Sequence, residues 1–257
     1  MQTKKAAQSK NASQAQSRAQ KILQVQNISR RFADGTLALD GVSFDASEGD
    51  FLLIAGSNGS GKSVLMSLIA GLDEPTSGSV LVQKGFEAGL IFQDADAQIL
   101  GETPWEDVMF SAKNSGVPKD ERNELVQNAL EKVGLLGKRD LNARSLSGGE
   151  KRRLAVAGIL ALGRKLMIFD EPFANLDWPG VRQTTAIMRE LKAQKKTVIV
   201  LTHEIEKVMA LAGRFIVLDK GKIRFEGTPA DGLRQNLEEW GVKNPLASYK
   251  KLEDLQW

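Results

Sequence analysis

The chain has 257 residues, 42% of them hydrophobic, enough to bury the core of one or two domains. The absence of cysteine excludes disulfides, thiolate metal sites and a cysteine nucleophile, and no apolar run approaches the ~18–20 residues of a membrane span. The formal charge of +3 is concentrated at one end: residues 1–21 carry Lys4, Lys5, Lys10, Arg18 and Lys21 with no acidic residue, while the remainder holds 30 basic and 32 acidic side chains.

A nearly neutral body lacks the basic field expected of a nucleic-acid partner. The segment 1–21 is rich in Gln, Ala and Ser and poor in large apolar residues, a composition that predicts disorder. It has no apolar core of a secretory signal, although its Ser, its Arg and its lack of acid also fit an organelle transit peptide. The ordered body is expected from Ile22. Ile22 to Ile28 shows partial strand alternation, and Leu37 to Phe44 reads as a second strand, closed by the turn-rich run Asp45 to Asp50. Phe51 to Ala55 is short and wholly apolar, as a buried parallel strand is.

Gly56-Ser57-Asn58-Gly59-Ser60-Gly61-Lys62-Ser63 follows at once, fitting G-x-x-x-x-G-K-[ST], and a helix is predicted from about Gly61 to Ala70. Glycines let the backbone fold back so that successive N–H groups face phosphate oxygens, and the positive end of the helix points to the same place. Lys62 can reach β- and γ-phosphates as a point charge. The Ser63 hydroxyl is an oxygen ligand suited to Mg²⁺.

Thr103 to Leu160 reads as mostly helical. Buried-strand patterns return at Leu166 to Phe169, Val198 to Leu201 and Phe215 to Leu218, with helical segments in the two intervals. The first of these strands runs into Asp170-Glu171-Pro172. Ligands in α/β sheets sit beyond the carboxyl ends of strands, so Asp170 is expected to hold Mg²⁺ through water and Glu171 to orient and deprotonate an attacking water. After Thr228 the pattern is helical and amphipathic, with Trp240 and Trp257 as packing anchors. The alternation predicts an α/β fold with a parallel sheet and a helical insert.

Leu146-Ser147-Gly148-Gly149-Glu150 lies between the glycine loop and the Asp-Glu strand. Alone it is a helix start with Ser147 as N-cap. In this combination it resembles the signature of the ABC (ATP-binding cassette) ATPases, with Glu150 where the family usually has Gln, a change whose charge can alter contacts near the nucleotide. The resemblance covers about 22 to 245. It implies a P-loop NTPase fold with a mostly parallel sheet core, an antiparallel β subdomain and a helical signature subdomain at about 94–162, all within an ATPase domain at 22–227 that precedes a helical extension at 228–257. It places Phe32 on adenine, Gln93 in the loop that senses Mg²⁺ and water, Ala174 to Asp177 along a dimer interface, and His203 near the γ-phosphate. It further implies head-to-tail dimers, homomeric or with a related ATPase. There the phosphate loop of one subunit and Ser147, Gly148 and Gly149 of the other close on one ATP.

Phe92-Gln93-Asp94-Ala95-Asp96-Ala97-Gln98-Ile99-Leu100, Trp105 to Phe110, Asn114 to Pro118, Glu226 to Pro229 and Trp240 to Pro245 resemble the energy-coupling-factor group, which includes the cobalt and nickel importers. Ala95 replaces a family Pro and Ser111 a family Gly. That resemblance implies a peripheral subunit on the cytoplasmic face of the cell membrane. Its partners would be a transmembrane scaffold and a substrate-binding membrane subunit, and its cargo a vitamin or transition-metal ion. Asp94, Asp96, Glu102, Glu106 and Asp107 are expected to form an acidic rim that receives scaffold arginines. Another transporter class, or a soluble ATPase of cofactor assembly, is the alternative.

Overall fold

The computed structural model describes residues 20–247. Two sheets organise them. A central sheet runs in the order β5-β6-β7-β3-β8-β9, and a second, antiparallel sheet runs β2-β1-β4. The central strands are β3 (Phe51–Ala55), β5 (Ala88–Ile91), β6 (Leu166–Asp170), β7 (Thr197–Thr202), β8 (Arg214–Asp219) and β9 (Lys222–Gly227). The first five are parallel, and β9 closes the edge antiparallel to β8. The outer sheet holds β1 (Lys21–Arg31), β2 (Leu37–Ser47) and β4 (Ser77–Val82).

The apolar runs of the parallel strands are continuous because both sheet faces are covered, and the strand period of two divides each run between two cores. Phe51, Leu53 and Ala55 of β3 join Phe169 of β6, Val200 of β7 and the helical layer. Leu52 and Ile54 turn the other way, onto Leu65 and Leu68 and the inner face of the antiparallel sheet. Helix α1 (Lys62–Ile69) covers this second face, and α2 (Pro104–Asn114), α3 (Arg122–Lys132) and α4 (Gly148–Ala161) pack together as the helical layer. Their starts are legible in the chain: Thr103 caps α2 ahead of Pro104, and Asp177 caps α5 (Trp178–Ala193) ahead of Pro179.

The outcome departs from the sequence reading in several places. β1 begins at Lys21 and β2 extends to Ser47, because pairing with each other carries both past the turn signals. β4 and β9 lack a continuous apolar run, being half exposed, and were not predicted. Only two 3-10 turns, Ile205–Lys207 and Met209–Leu211, occupy the interval between β7 and β8, where a helix was expected; the eleven residues available must also return the chain to the sheet. Among the described residues after Thr228 there is one short helix, α6 (Pro229–Gly232), and a turn at Leu237–Trp240 that ends on Gly241 in the left-handed region, φ +66°. Trp240 packs on the core as expected. Residues 1–19, the rest of the extension and Trp257 lie outside the described residues.

Asp107 is not on a rim. It is buried in α2, and its Oδ1 accepts the backbone N–H of Leu100 at 2.7 Å and of Gly101 at 3.0 Å. Gly101 permits the approach, since a Cβ there would lie 2.3 Å from Asp107 N. Burial raises the Asp107 carboxyl pKa, against the pull of the two N–H donors. Asp107 thus ties the 92–103 segment to the helical layer. Asp107→Ala is expected to lower stability by about 2 kcal/mol, read from urea unfolding; an unchanged midpoint would show that the loop does not depend on this carboxylate.

Candidate active site

The carboxyl ends of β3, β6 and β7 meet at one level, because Ala55 pairs with Thr202 and Asp170 pairs with Leu201. The loop after β3 bends back over this edge. Gly56 has no room for a side chain, as a Cβ would lie 2.4 Å from Leu218 O, and Gly61 at φ +106° would bring one within 2.6 Å of Ala38 O. The loop therefore needs glycine both for conformation and for clearance. Lys62 leads α1, and its Nζ donates to Gly56 O at 2.8 Å and Ser57 O at 3.1 Å. The same ammonium lies 3.2 Å from Glu171 Oε1, a buried pair.

Glu171 sits just past β6 in the left-handed region, φ +44°, and Pro172 follows it. Such a backbone is costly for a non-glycine residue and persists only where neighbours hold it. Glu171 N donates to Leu201 O at 2.8 Å, which fixes the peptide to β7. Its Oε2 accepts from Thr202 Oγ1 at 2.9 Å and meets His203 Nδ1 at 3.0 Å. With the carboxylate ionised, Nδ1 is the donor. Burial works against the charged form of Glu171. The His203 hydrogen bond, the Lys62 charge and the Thr202 hydroxyl outweigh it and hold the carboxyl below the ordinary glutamate range.

Asp170 behaves oppositely. Burial, with the adjacent Glu171 charge, lifts its pKa despite the Ser63 hydrogen bond and Lys62. Ser63 Oγ donates to Asp170 Oδ2 at 2.9 Å, while Oδ1 is buried and has no hydrogen-bond partner. Two hard oxygen donors side by side, one of them unsatisfied, suit a small divalent cation that takes its other ligands from phosphate and water.

Residues 39–174 match the ABC transporter family. A Methanothermobacter marburgensis protein named only as an ABC transporter ATP-binding protein is 39% identical over 224 residues, covering 82% of this chain and 81% of that protein. The chain belongs to the ABC transporter family. The energy-coupling factor transporter ATP-binding protein EcfA of Methanocaldococcus jannaschii is 36% identical over 223 residues, 82% of this chain and 80% of that one. A solved structure of cbiO1 from Clostridium perfringens, part of the ABC transporter complex cbiONQ, superposes with a TM-score of 0.76 at 31% identity, over 88% of this chain and 96% of that chain.

This ABC ATPase is thus an ATP-binding, ATP-hydrolysing cassette, and among its described residues no helix is long and apolar enough to cross a membrane. The structure brings together Gly56 to Ser63, Asp170, Glu171 and His203. Other predicted site residues stand apart. Phe32 follows β1 and is 39% exposed, with the Arg30 guanidinium 5.2 Å from its ring centre. Gln93 is exposed, and among the described residues only its carbonyl is hydrogen-bonded. Ser147, Gly148 and Gly149 line a separate cavity of about 440 Å³ with Asn175, Asp177 and Gly180, and no phosphate-loop residue lines it.

Glu150 also lines that cavity. It forms a capping box, accepting Ser147 N at 2.9 Å while Ser147 Oγ accepts Glu150 N at 3.3 Å, and it pairs with Lys138 at 2.5 Å. Lys138 and the Ser147 N–H hold its carboxyl below the ordinary range. Thr202 was missed by the sequence reading. The signal was present: a hydroxyl directly before the lone histidine, at the end of an apolar strand. Glu150→Ala removes both the box and the Lys138 pair and is expected to cost about 1 kcal/mol, with Glu150→Gln costing less because an amide oxygen still caps; equal losses in urea unfolding would contradict the capping role.

Proposed function

We propose that this chain is the ATP-hydrolysing subunit of an energy-coupling-factor importer, bound to the cytoplasmic face of the cell membrane and powering uptake of a vitamin or transition-metal ion. The observation that carries the hydrolytic part is Glu171, ionised, buried and aimed by Thr202 and His203 toward the lysine of the phosphate loop. The motifs of the segment after β5 and the energy-coupling-factor name of a 36% identical relative support the transporter class.

Lys62 would leave Gly56 O, Ser57 O and Glu171 for the β- and γ-phosphates, which releases Glu171 to act as general base toward water. Ser63 and Asp170 would hold Mg²⁺, with Gln93 approaching as the helical layer closes. Bound there with ATP, the ion would neutralise charge on the transferring phosphoryl group. His203 keeps Glu171 oriented and lies beside the γ-phosphate, and Phe32 stacks on adenine. The Ser147 to Gly149 cavity has no phosphate loop of its own chain. We therefore assign it to the ATP held by a second cassette, the same chain or a related one, where the N-terminus of α4 supplies donors to the γ-phosphate. Loss of that phosphate removes the affinity that favours the closed pair.

The membrane scaffold would dock in a groove of about 630 Å³ lined by Ile99, Leu100, Glu102, Asn142 and Arg144. Of the five acidic residues first considered, Asp107 is buried and Asp96 pairs with Lys151 at 2.5 Å, which leaves Asp94, Glu102 and Glu106 exposed for basic groups of the scaffold.

Glu171→Gln is expected to bind ATP, to slow hydrolysis by about 10²–10⁴ and to accumulate ATP-dependent dimers on size-exclusion chromatography; native turnover would remove Glu171 from the role of base. Reversing Asp94 and Glu106 together to Lys should weaken co-purification with an integral membrane protein while leaving nucleotide affinity intact. A complex that survives at physiological salt would place the docking surface elsewhere.

A further inference from the structure

Arg152 lies on α4, five residues after the cap Ser147, and is only 5% exposed. Its hydrogen bonds go to backbone carbonyls and, among the described residues, to no carboxylate. Nη1 donates to Pro172 O at 2.9 Å and Ala174 O at 3.1 Å, and Nη2 donates to Gln93 O at 2.7 Å. Nε is buried without a partner. One guanidinium therefore joins the chain leaving β5, the Pro172–Phe173 peptide one residue past Glu171, and the turn before Asn175. The first and last of these segments line a cavity of about 130 Å³ together with Arg152, Gly148 and Lys151.

Packing alone does not call for this arrangement. An apolar side chain would fill the same volume without stranding a charge, and a buried cation held only by carbonyls tolerates little movement of any of them. Glu171 has a left-handed backbone that its surroundings must enforce. It is clamped on one side by its own N–H to Leu201 O. On the other side the next carbonyl, that of Pro172, is held by Arg152.

We propose that Arg152 is a positioning residue: through the Pro172, Ala174 and Gln93 carbonyls it sets Glu171 and Gln93 relative to the Ser147 helix, so that hydrolysis depends on the placement of α4. This rests on the roles assigned above to Glu171 and Gln93. Lysine cannot substitute, because a single nitrogen does not reproduce a planar fork whose two ends serve carbonyls of different segments.

The test uses the full chain together with the subunits that co-purify with it, carrying Arg152→Met or Arg152→Lys. Both variants are expected to lose about 10- to 100-fold in kcat, with KM for ATP within about twofold of native and a lowered unfolding midpoint that still leaves the protein folded under assay conditions. In a Glu171→Gln background, Arg152→Met should lower the residual rate by clearly less than in the native background, since the base it positions is gone and only its hold on Gln93 remains. If the Met variant does not fold, the Lys variant, which keeps the charge, carries the same comparison. A folded Arg152 variant with native kcat beside an inactive Glu171→Gln would overturn this proposal alone. So would an Arg152 loss of equal size in both backgrounds. Native turnover in Glu171→Gln would overturn the assignment of the base, and this proposal with it.

Discussion

The register of three parallel strands is the constraint on which the site depends. Ala55 stands opposite Thr202, and Asp170 opposite Leu201, so the phosphate loop, the two carboxylates and the Thr202–His203 pair leave the sheet at one level. A one-residue slip would turn the side chains of a strand to the opposite face. The two cores forbid it: Leu53, Phe169 and Val200 are buried on one side while Leu52, Ile168 and Ile199 are buried on the other. Packing far from the nucleotide thus determines where the chemistry stands.

Within that frame adjacent carboxyl groups are driven apart. Asp170, buried and next to a like charge, is lifted, while Glu171 is held down by His203, Lys62 and Thr202. The same contacts that keep Glu171 ionised make it a weak proton acceptor, and loss of the Lys62 contact would raise its proton affinity. The Lys62–Glu171 contact also lets each charge satisfy the other. Phosphate, the stronger partner for Lys62, would break it.

The helical layer is joined to this site through backbone carbonyls and N–H groups, with the Lys151–Asp96 ion pair beside them. Arg152 holds the Gln93, Pro172 and Ala174 carbonyls, and Asp107 holds the Leu100 and Gly101 N–H groups. Both are buried charges used to set main-chain geometry. The segment from Gln93 to Gly101 is thereby gripped at each end, and in its middle Asp96 pairs with Lys151.

The order of strand, glycine loop and helix, the Asp170-Glu171 pair at a strand end and the Ser147 helix start were all readable in the chain, because each is a contiguous pattern whose meaning is local: backbone freedom, a cap, an apolar run. So was the α/β architecture that the alternation of those patterns implies. The tertiary structure alone decided that Asp107 is buried, that Glu150 closes a capping box and reaches Lys138, that Thr202 touches Glu171 and that Arg152 bridges three loops. It also decided the order of the strands and the pairing of β4 and β9. These are relations between residues far apart in the chain, and they arise from register and from the need to satisfy polar groups once they leave water, which no local pattern records.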